Sequence, residues 1–198
     1  MNSILIIFIL FTFVIYLLPR YPDPTVIDNF LSESERRHII QEASIKLETS
    51  MISRDKQINE SIRKSETAWL NKEDPVVKGV IQRCLKYTDR PFENCEKLQV
   101  VRYKPGGHYK PHQDAFKDDK NVRIYTFILA LNDGYDGGET EFPNLNKSYK
   151  LKAGDALFFD TLNNYDFLTS KALHGGKTVN HGNKWICNLW VRKYRYVK

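Results

Sequence analysis

Two histidines and an aspartate have the types and the spacing that a mononuclear iron site requires. His112 and Asp114 form a His-x-Asp pair, and in an extended strand both side chains would project from one face. His174 is the best candidate for a third ligand, provided that folding brings its segment close to the pair. Two imidazoles and one carboxylate can hold Fe(II) on one side and leave open positions for a 2-oxo acid and O₂.

A His-x-Asp pair alone is weak support, because most such pairs are ordinary hydrogen-bonded pairs at a surface. Lys184, ten residues after His174, strengthens the iron hypothesis. Strand alternation places Lys184 on one face with Ile186, Asn188 and Trp190. A lysine inside a barrel strand is costly unless an anion meets it, and the carboxylate of a cosubstrate is such an anion.

The elements that must position these residues change in type along the chain. Ser32 or Ser34 would cap a first helix whose apolar positions extend to Leu47, and Pro75 would start a second helix that ends near Tyr87. Short strands bounded by Gly, Asn and Asp dominate the rest. The predicted strands are residues 62–70, 98–103, 123–131, 139–142, 148–151, 154–159 and 184–194, with a turn at 134–138. This order predicts an α+β, mainly β fold, an antiparallel double-sheet jelly roll with supporting N-terminal helices.

Length and composition fit one main domain with a sizeable core. The chain has 198 residues and a net charge of +6, and its eleven Phe and eleven Tyr residues suit a β-rich interior. Its basic residues are spread out, without a basic run interleaved with aromatics, so no nucleic acid partner is expected. Cys84 and Cys95 could pair in an oxidising compartment, or all three cysteines, with Cys187, could be buried thiols. The oligomeric state is left open.

The N-terminal segment is predicted to contact a membrane. Residues 4–18 are almost wholly apolar, and residues 2–19 would span about 27 Å as a helix, slightly less than a hydrocarbon core of about 30 Å. No basic start and no small-residue cleavage site is present, which favours an uncleaved anchor over a signal peptide. We therefore divide the chain into an anchor or signal segment (1–19), a linker (20–25) and a catalytic domain (26–198).

Three other histidines are not expected to bind metal. His38 is expected to be an exposed residue of the first helix. His108 and His181 have no carboxylate paired with them in the sequence and are expected at the surface or beside the site. The iron hypothesis therefore depends on the three ligands named above.

A series of ordered motifs resembles the prolyl 4-hydroxylase family, over a stretch from about Tyr21 to Tyr194. The motifs are Tyr103-x-x-Gly106-Gly107-x-Tyr109-x-x-His112-x-Asp114, Arg123-x-x-Thr126, Gly137-Gly-Glu-Thr140-x-Phe-Pro143, Gly154-Asp-Ala-Leu157-x-Phe159 and His174…Gly182-x-Lys184-Trp185…Trp190. The chain is similar to the short, single-domain plant, algal and viral members, without the separate peptide-binding domain of the animal collagen hydroxylases. It departs from the family at residues 176–179, Gly-Lys-Thr-Val, where a Cys-Pro-Val step often follows the distal histidine.

The resemblance implies a fold, cofactors and residue roles. The fold would be a double-stranded β-helix, and the enzyme would use Fe(II), 2-oxoglutarate and O₂, with L-ascorbate to rescue oxidised iron. The iron ligands would be the three residues already named. Lys184 would bind the distal carboxylate of 2-oxoglutarate, helped by Tyr103 and Thr126. Residues that would line a peptide groove are Arg63, Ser65, Tyr109, Arg123 and Trp190, with Trp69 nearby.

The reaction implied by the resemblance is 4-hydroxylation of peptidyl proline in a proline-rich or collagen-like peptide, giving 4-hydroxyproline, succinate and CO₂. The family also implies the lumen of the endoplasmic reticulum, although Arg20 after the apolar segment favours the cytosol for that side. The alternatives are a 2-oxoglutarate oxygenase that acts on a lysyl residue or a nucleobase, and a non-catalytic, membrane-tethered cupin-like binding module. The complete ligand set favours catalysis over binding alone.

Overall fold

The structure, a computed structural model, describes residues 17–52 and 57–197. The predicted anchor at residues 1–19 lies almost entirely outside these ranges, so it stays a prediction. Within the two described ranges, no helix combines the length and the apolar character that crossing a bilayer requires.

Short antiparallel strands are the main regular elements of the described chain, together with two α-helices. The two α-helices are α1 (Glu33–Ser44) and α2 (Pro75–Leu85). The strands are β1 (Thr25–Ile27), β2 (Glu48–Thr49), β3 (Arg63–Lys64), β4 (Glu66–Leu70), β5 (Leu98–Tyr103), β6 (His108–His112), β7 (Arg123–Ala130), β8 (Tyr135–Gly137), β9 (Thr140–Phe142), β10 (Lys147–Tyr149), β11 (Ala156–Asp160), β12 (His174–Gly176), β13 (Val179–Gly182) and β14 (Lys184–Arg192).

The strands form two main sheets that face each other. A seven-stranded sheet has the order β1-β11-β7-β14-β5-β4-β2, a five-stranded sheet has the order β10-β9-β12-β6-β3, and β8 pairs with β13 in a small ribbon. Val101, Ile128 and Ile186 of the large sheet meet Tyr109 and Phe142 of the small sheet in one buried core. This mainly β, double-stranded β-helix arrangement confirms the predicted fold class.

The two helices cover the outer face of the large sheet. Ile39 of α1 and Val77 of α2 are fully buried against strands of that sheet, in a second core. Ser32 caps α1 through a capping box with Glu35, and Asp74 caps α2 by accepting from two backbone N–H groups of its first turn. The outward face of β14 also packs into this core, so its inward face is left for the space between the sheets.

The three cysteines are free and buried, so the possible Cys84–Cys95 disulfide is not formed. Cys84 and Cys187 belong to the core between the helices and the large sheet. Burial raises the pKa of Cys95 to about 12, which keeps this thiol protonated and unreactive.

The predicted strand at residues 62–70 is two strands. β3 pairs with β6 in the small sheet, whereas β4 pairs with β5 in the large sheet. The chain crosses between the sheets at Ser65, whose backbone carbonyl accepts from the N–H of Ser50 and whose hydroxyl lies 2.8 Å from the Ser50 hydroxyl. This crossing matters for function, because it places Arg63 between the two sheets.

Other boundaries also differ from the prediction, and several strand ends lie one or two residues from the predicted positions. α1 ends at Ser44, so Ile45 is the C-cap residue and its side chain is exposed. α2 ends at Leu85, before Tyr87. The predicted turn at 134–138 contains β8, which pairs with β13 over forty residues away in sequence and therefore gives no local signal.

Candidate metal centre

Pairing of β6 with β12 brings the two histidines together, because His174 lies directly opposite His112. Asp114 comes two residues after β6 ends, in a loop rather than in the predicted extended strand. Its Oδ1 is 3.8 Å from Nε2 of His112, and its Oδ2 is 3.7 Å from Nε2 of His174. The three ligand atoms lie within 4.8 Å of one another. The structure thus brings together the three residues that the sequence singled out.

Backbone carbonyls fix which nitrogen each histidine offers. Nδ1 of His112 lies 2.9 Å from the carbonyl oxygen of Lys110, and Nδ1 of His174 lies 3.0 Å from that of Ala172. A carbonyl only accepts, so each Nδ1 carries a proton, and in the neutral ring the lone pair is on Nε2. Metal-binding histidines in proteins commonly have this arrangement, which sets both the tautomer and the ring orientation.

Packing holds the two imidazole rings in place. The ring of Tyr109 stacks on His112 with 3.6 Å between centroids. Phe142 and Phe159 pack against His174 at 5.5 Å and 4.8 Å. Burial and, next, the neighbouring His174 lower the pKa of His112, so its ring stays neutral and able to donate a lone pair.

Asp114 is a buried carboxylate with several partners. Thr126 donates its hydroxyl proton to Oδ2 over 2.7 Å, and Nη1 of Arg123 lies 3.9 Å from Oδ1. Burial alone would raise the pKa of Asp114, but His174, His112 and then Arg123 outweigh it and hold this pKa below its usual range. The carboxylate therefore stays charged, as a metal ligand must.

Lys184 is the first residue of β14 and its ammonium group is buried. Nζ donates to the carbonyl oxygen of Gly138 over 2.7 Å and lies 5.4 Å from the centroid of the Tyr103 ring. Burial and the nearby Lys150 lower the pKa of Lys184 to about 8, although Glu139 acts in the opposite direction. A buried ammonium with neutral partners is a site that a carboxylate would stabilise.

The iron ligands and Lys184 line a single cavity between the sheets. The predicted inward face of β14 is confirmed, because its four residues from Lys184 to Trp190 all line this cavity. The walls include every residue predicted to hold iron, cosubstrate or peptide except Ser65 and Arg123, which lie behind them. Thr126 and Tyr103 are on opposite sides of β14 in the large sheet, since β7 and β5 flank that strand.

Arg63 and Tyr109 form one wall near His112. The Arg63 guanidinium lies 4.7 Å from the centroid of the Tyr109 ring, and its Nε donates to the Ser65 hydroxyl over 3.0 Å. Ser65 therefore holds Arg63 in position and does not face the cavity itself. Thr126, expected to help bind the cosubstrate, has its hydroxyl bonded to Asp114 and so belongs to the iron end.

Arg123 supports the wall that Trp190 forms. Its guanidinium lies 3.7 Å from the centroid of the Trp190 ring, and it donates from Nε and Nη2 to the two carboxylate oxygens of Glu96 at 2.7 Å and 3.0 Å. Glu96, which is buried and also accepts from Arg192, was missed from the sequence. In the sequence, Glu96 is distinguished only by its position just before a predicted strand, and such a position does not indicate a functional role.

The other histidines lie outside the iron site. His108 is half-buried at the start of β6, and His181 is exposed, with Nδ1 at 3.9 Å from Asp136 rather than without a carboxylate. His38 is half-buried rather than exposed, because its Nε2 lies 3.0 Å from Oδ1 of Asp74. This contact joins α1 to the N-cap of α2.

The residues present fit a ferrous ion. Two imidazole Nε2 atoms and one carboxylate oxygen come together, which is the donor set of non-haem Fe(II) sites. Lys184 on a different strand offers a counter-charge for an anion in the same cavity.

Comparisons with known proteins agree with this geometry. A family model described as the 2OG-Fe(II) oxygenase superfamily matches residues 98–192. A protein of Acanthamoeba polyphaga mimivirus named "Putative prolyl 4-hydroxylase" is 36% identical over 187 residues, which cover 89% of this chain and 76% of the relative. Prolyl 4-hydroxylase 5 of Arabidopsis thaliana is 32% identical over 203 residues, covering 88% of this chain and 70% of the relative. The chain belongs to the prolyl 4-hydroxylase family.

A solved member of this family has a similar structure. The viral collagen prolyl hydroxylase of Paramecium Bursaria Chlorella virus-1, in complex with 2-oxoglutarate, superimposes with a TM-score of 0.71 at 31% identity, over 88% of this chain and 97% of that chain. As a member of the family, the chain is a 2-oxoglutarate-dependent dioxygenase that uses Fe(II), 2-oxoglutarate and O₂.

Proposed function

We propose that this prolyl 4-hydroxylase family member hydroxylates C4 of proline residues in a peptide, and converts 2-oxoglutarate and O₂ to succinate and CO₂. One observation carries the proposal: His112, Asp114, His174 and Lys184 line the same cavity. Iron ligands without a buried cation would suit many metal proteins. The two features together suit an oxygenase that binds a dicarboxylate beside its metal.

The iron end would be held by the three ligands with their orientation already set. His112 and His174 present Nε2 because their Nδ1 protons are bonded to backbone carbonyls. Asp114 contributes a charged oxygen while Thr126 donates to its other oxygen. When bound, Fe(II) would supply the O₂ chemistry that couples decarboxylation of 2-oxoglutarate to hydroxylation.

The cosubstrate end would be held by Lys184. Its Nζ keeps one hydrogen bond to Gly138 and has further donor capacity for the distal carboxylate of 2-oxoglutarate. Burial raises the pKa of the Tyr103 hydroxyl, so this group stays a neutral donor. Both residues are buried, which would exclude water from the carboxylate and strengthen the ion pair.

The substrate proline would enter along the wall formed by Tyr109, Arg63 and Trp190. The aromatic faces of Tyr109 and Trp190 suit a pyrrolidine ring, and proline-rich segments commonly dock on aromatic surfaces. Arg63 donates to Ser65, Met51 and Thr67, which leaves two of its five guanidinium donors for a backbone carbonyl of the peptide. Arg123 acts through Trp190 in this proposal, since Glu96 already takes two of its donors.

The reaction can be tested directly. Purified protein is incubated with Fe(II), 2-oxoglutarate, L-ascorbate and a synthetic proline-rich peptide, and the peptide is analysed by mass spectrometry and amino-acid analysis. We expect the gain of one oxygen atom on proline, 4-hydroxyproline after hydrolysis, and one succinate per hydroxylation. A peptide that stays unmodified while 2-oxoglutarate is not consumed would contradict the proposal. Ascorbate is expected to prolong turnover.

We also propose that the apolar N-terminal segment anchors the enzyme to a membrane, with the catalytic domain in the lumen of the endoplasmic reticulum. The support is the sequence of residues 4–18 and the absence of a cleavage signal after it. Protease protection of the catalytic domain in sealed microsomes is the expected result. Digestion of the domain without detergent would contradict the lumenal side.

A further inference from the structure

Five exposed apolar side chains lie in two segments that are far apart in sequence but bonded to each other. They are Leu17, Leu18, Tyr165, Phe167 and Leu168, with exposed fractions from 42% to 66%. We call these five residues the apolar patch. Clustered exposed apolar side chains mark contact sites for membranes or for other proteins, whereas single ones need no explanation.

Three hydrogen bonds join the two segments of the patch. The Tyr165 hydroxyl donates to the carbonyl oxygen of Leu17 over 3.0 Å. The N–H of Arg20 donates to the side chain of Asn164 over 2.6 Å, and the N–H of Asn164 donates back to the carbonyl oxygen of Arg20 over 3.0 Å. The N-terminal end of the described chain is therefore fixed against the loop between β11 and β12.

The loop itself has a defined conformation. Oδ1 of Asn163 accepts from the N–H groups of Tyr165 and Phe167, at 2.9 Å and 3.1 Å. Asp166 has a positive φ of 61° and its carboxylate pairs with Lys193 at 2.9 Å. These bonds fix the backbone around Phe167, whose side chain is 66% exposed. A fixed apolar projection is costly in water and calls for an occupant.

The chain that precedes the patch indicates which occupant it is. Residues 4–16, which end immediately before Leu17, carry no charge and are nearly all apolar. Any bilayer that took up this stretch would bring the patch to its surface, because Leu17 is bonded to Tyr165. Tyr165 suits the interface, where tyrosine rings sit at headgroup depth, and Lys193 neutralises the Asp166 carboxylate within the loop.

We propose that the apolar patch is a membrane-contact surface of the catalytic domain, inserted into the interfacial region of a lipid bilayer. The proposal goes beyond the reaction and rests on the proposed anchor. It also fixes the orientation of the active site. The loop runs from the patch into His174 within six residues, and the side chain of Gln113, between two iron ligands, donates to the carbonyl oxygen of Thr169 over 3.0 Å. The iron site is thus held at a set distance from the bilayer.

The test uses full-length protein reconstituted into phosphatidylcholine vesicles that contain lipids with a doxyl quencher near the headgroup. A fluorophore is attached at Phe167→Cys, since the native cysteines are buried. The matched control is Ile45→Cys, which replaces an 81% exposed aliphatic residue just before β2. β2 is at the opposite edge of the large sheet from β1, which follows the N-terminal segment.

We expect several-fold stronger quenching at position 167 than at position 45, and Phe167→Ser with Leu168→Ser should leave peptide hydroxylation in detergent unchanged. Flotation of the vesicles shows whether the protein is membrane-bound. Equal quenching at the two positions in membrane-bound protein would refute membrane contact by the patch but not the anchor. Protein that does not float with the vesicles would refute both the anchor and the membrane contact of the apolar patch. Protection of position 167 from soluble quenchers without lipid quenching would mean that protein covers it, which also overturns the proposal. Hydroxylase activity is measured in parallel, so that failure of the proposed reaction is distinguished from failure of the proposed membrane contact.

Discussion

The two ends of the active-site cavity are built differently. At the iron end, each ligand has a partner that fixes it: a backbone carbonyl for each histidine and the Thr126 hydroxyl for Asp114. At the other end, the buried Lys184 has one hydrogen bond, to a neutral carbonyl. At the iron end, the metal would supply the positive charge that the ligands bind. At the other end, the buried ammonium group of Lys184 is itself the positive charge.

The iron end is therefore preorganised before any ligand binds, whereas the Lys184 end is not. The iron end has its donors oriented and its carboxylate held by the Thr126 hydroxyl, so little has to move when metal binds. The Lys184 end has a desolvated cation, and the cost of that burial is offset only when an anion arrives. Changes at the iron end should therefore abolish chemistry, and changes at the Lys184 end should mainly weaken cosubstrate binding.

The largest effect is expected for His112→Ala. The substitution removes one of three ligands, and no other histidine lies within reach of the site in the described chain. Succinate formation should fall to background, together with binding of Mn(II) as a stable substitute for Fe(II). The matched control is His108→Ala on the same strand, whose ring nitrogens contact only backbone carbonyls. Substantial turnover by the His112 variant, or an equal loss in the control, would refute the ligand assignment.

Lys184→Met is expected to separate binding from chemistry. A hydrogen bond to a charged group contributes about 1.5–3 kcal/mol, so the KM for 2-oxoglutarate should rise roughly 10- to 150-fold. The kcat at saturating cosubstrate should change much less. In the absence of 2-oxoglutarate, thermal unfolding should occur at an equal or higher temperature than in the wild type, because a buried charge is removed.

Two controls sharpen this prediction. Lys184→Arg retains the charge and should keep more of the affinity than the Met variant. Lys177→Met removes an exposed lysine close to the iron-ligand strand and should leave the KM for 2-oxoglutarate unchanged. A loss of kcat in Lys184→Met with an unchanged KM would show that this lysine does not hold the cosubstrate.

Thr126→Val tests whether Thr126 supports the iron ligands or the cosubstrate. The resemblance implied a cosubstrate role for Thr126, but its hydroxyl donates to Asp114. Loss of such a supporting bond typically lowers metal affinity about 10- to 100-fold. We expect weaker Mn(II) binding with an unchanged KM for 2-oxoglutarate at saturating metal, and recovery in Thr126→Ser. An increased KM with unchanged metal affinity would return Thr126 to the cosubstrate end.

Most residues of the site could be predicted from the sequence, but fewer of the residues that hold them in position. Alternation along β14 correctly placed Lys184 on the cavity side, because this regular strand is nine residues long. The split at Ser65 could not be predicted, since it depends on a bond to Ser50, fifteen residues away. Glu96 was missed for the same reason: its partners Arg123 and Arg192 come from distant strands. Local patterns identify faces, whereas partners across sheets depend on the fold.

The smallest effect is a shift in pH dependence at the Lys184 end. Burial first, and Lys150 next, lower the pKa of Lys184 to about 8 in the absence of cosubstrate, whereas Glu139 raises it. The ammonium is charged below this pKa, and both carboxylates of 2-oxoglutarate are ionised throughout. Affinity should therefore be level below pH 8 and fall up to tenfold per unit above it.

Two substitutions should move this midpoint in opposite directions. Lys150→Gln removes a positive neighbour and should shift the fall to higher pH, whereas Glu139→Gln should shift it to lower pH. Calorimetric titration with 2-oxoglutarate and Mn(II) under anaerobic conditions measures both. Lys150 also donates to the carbonyl oxygens of Tyr135 and Gly137, so its loss could loosen the ribbon that carries Gly138. Loosening would weaken 2-oxoglutarate binding at every pH without moving the midpoint of the pH dependence. Opposite shifts of that midpoint in the two variants would show that the charge of Lys184 controls cosubstrate binding.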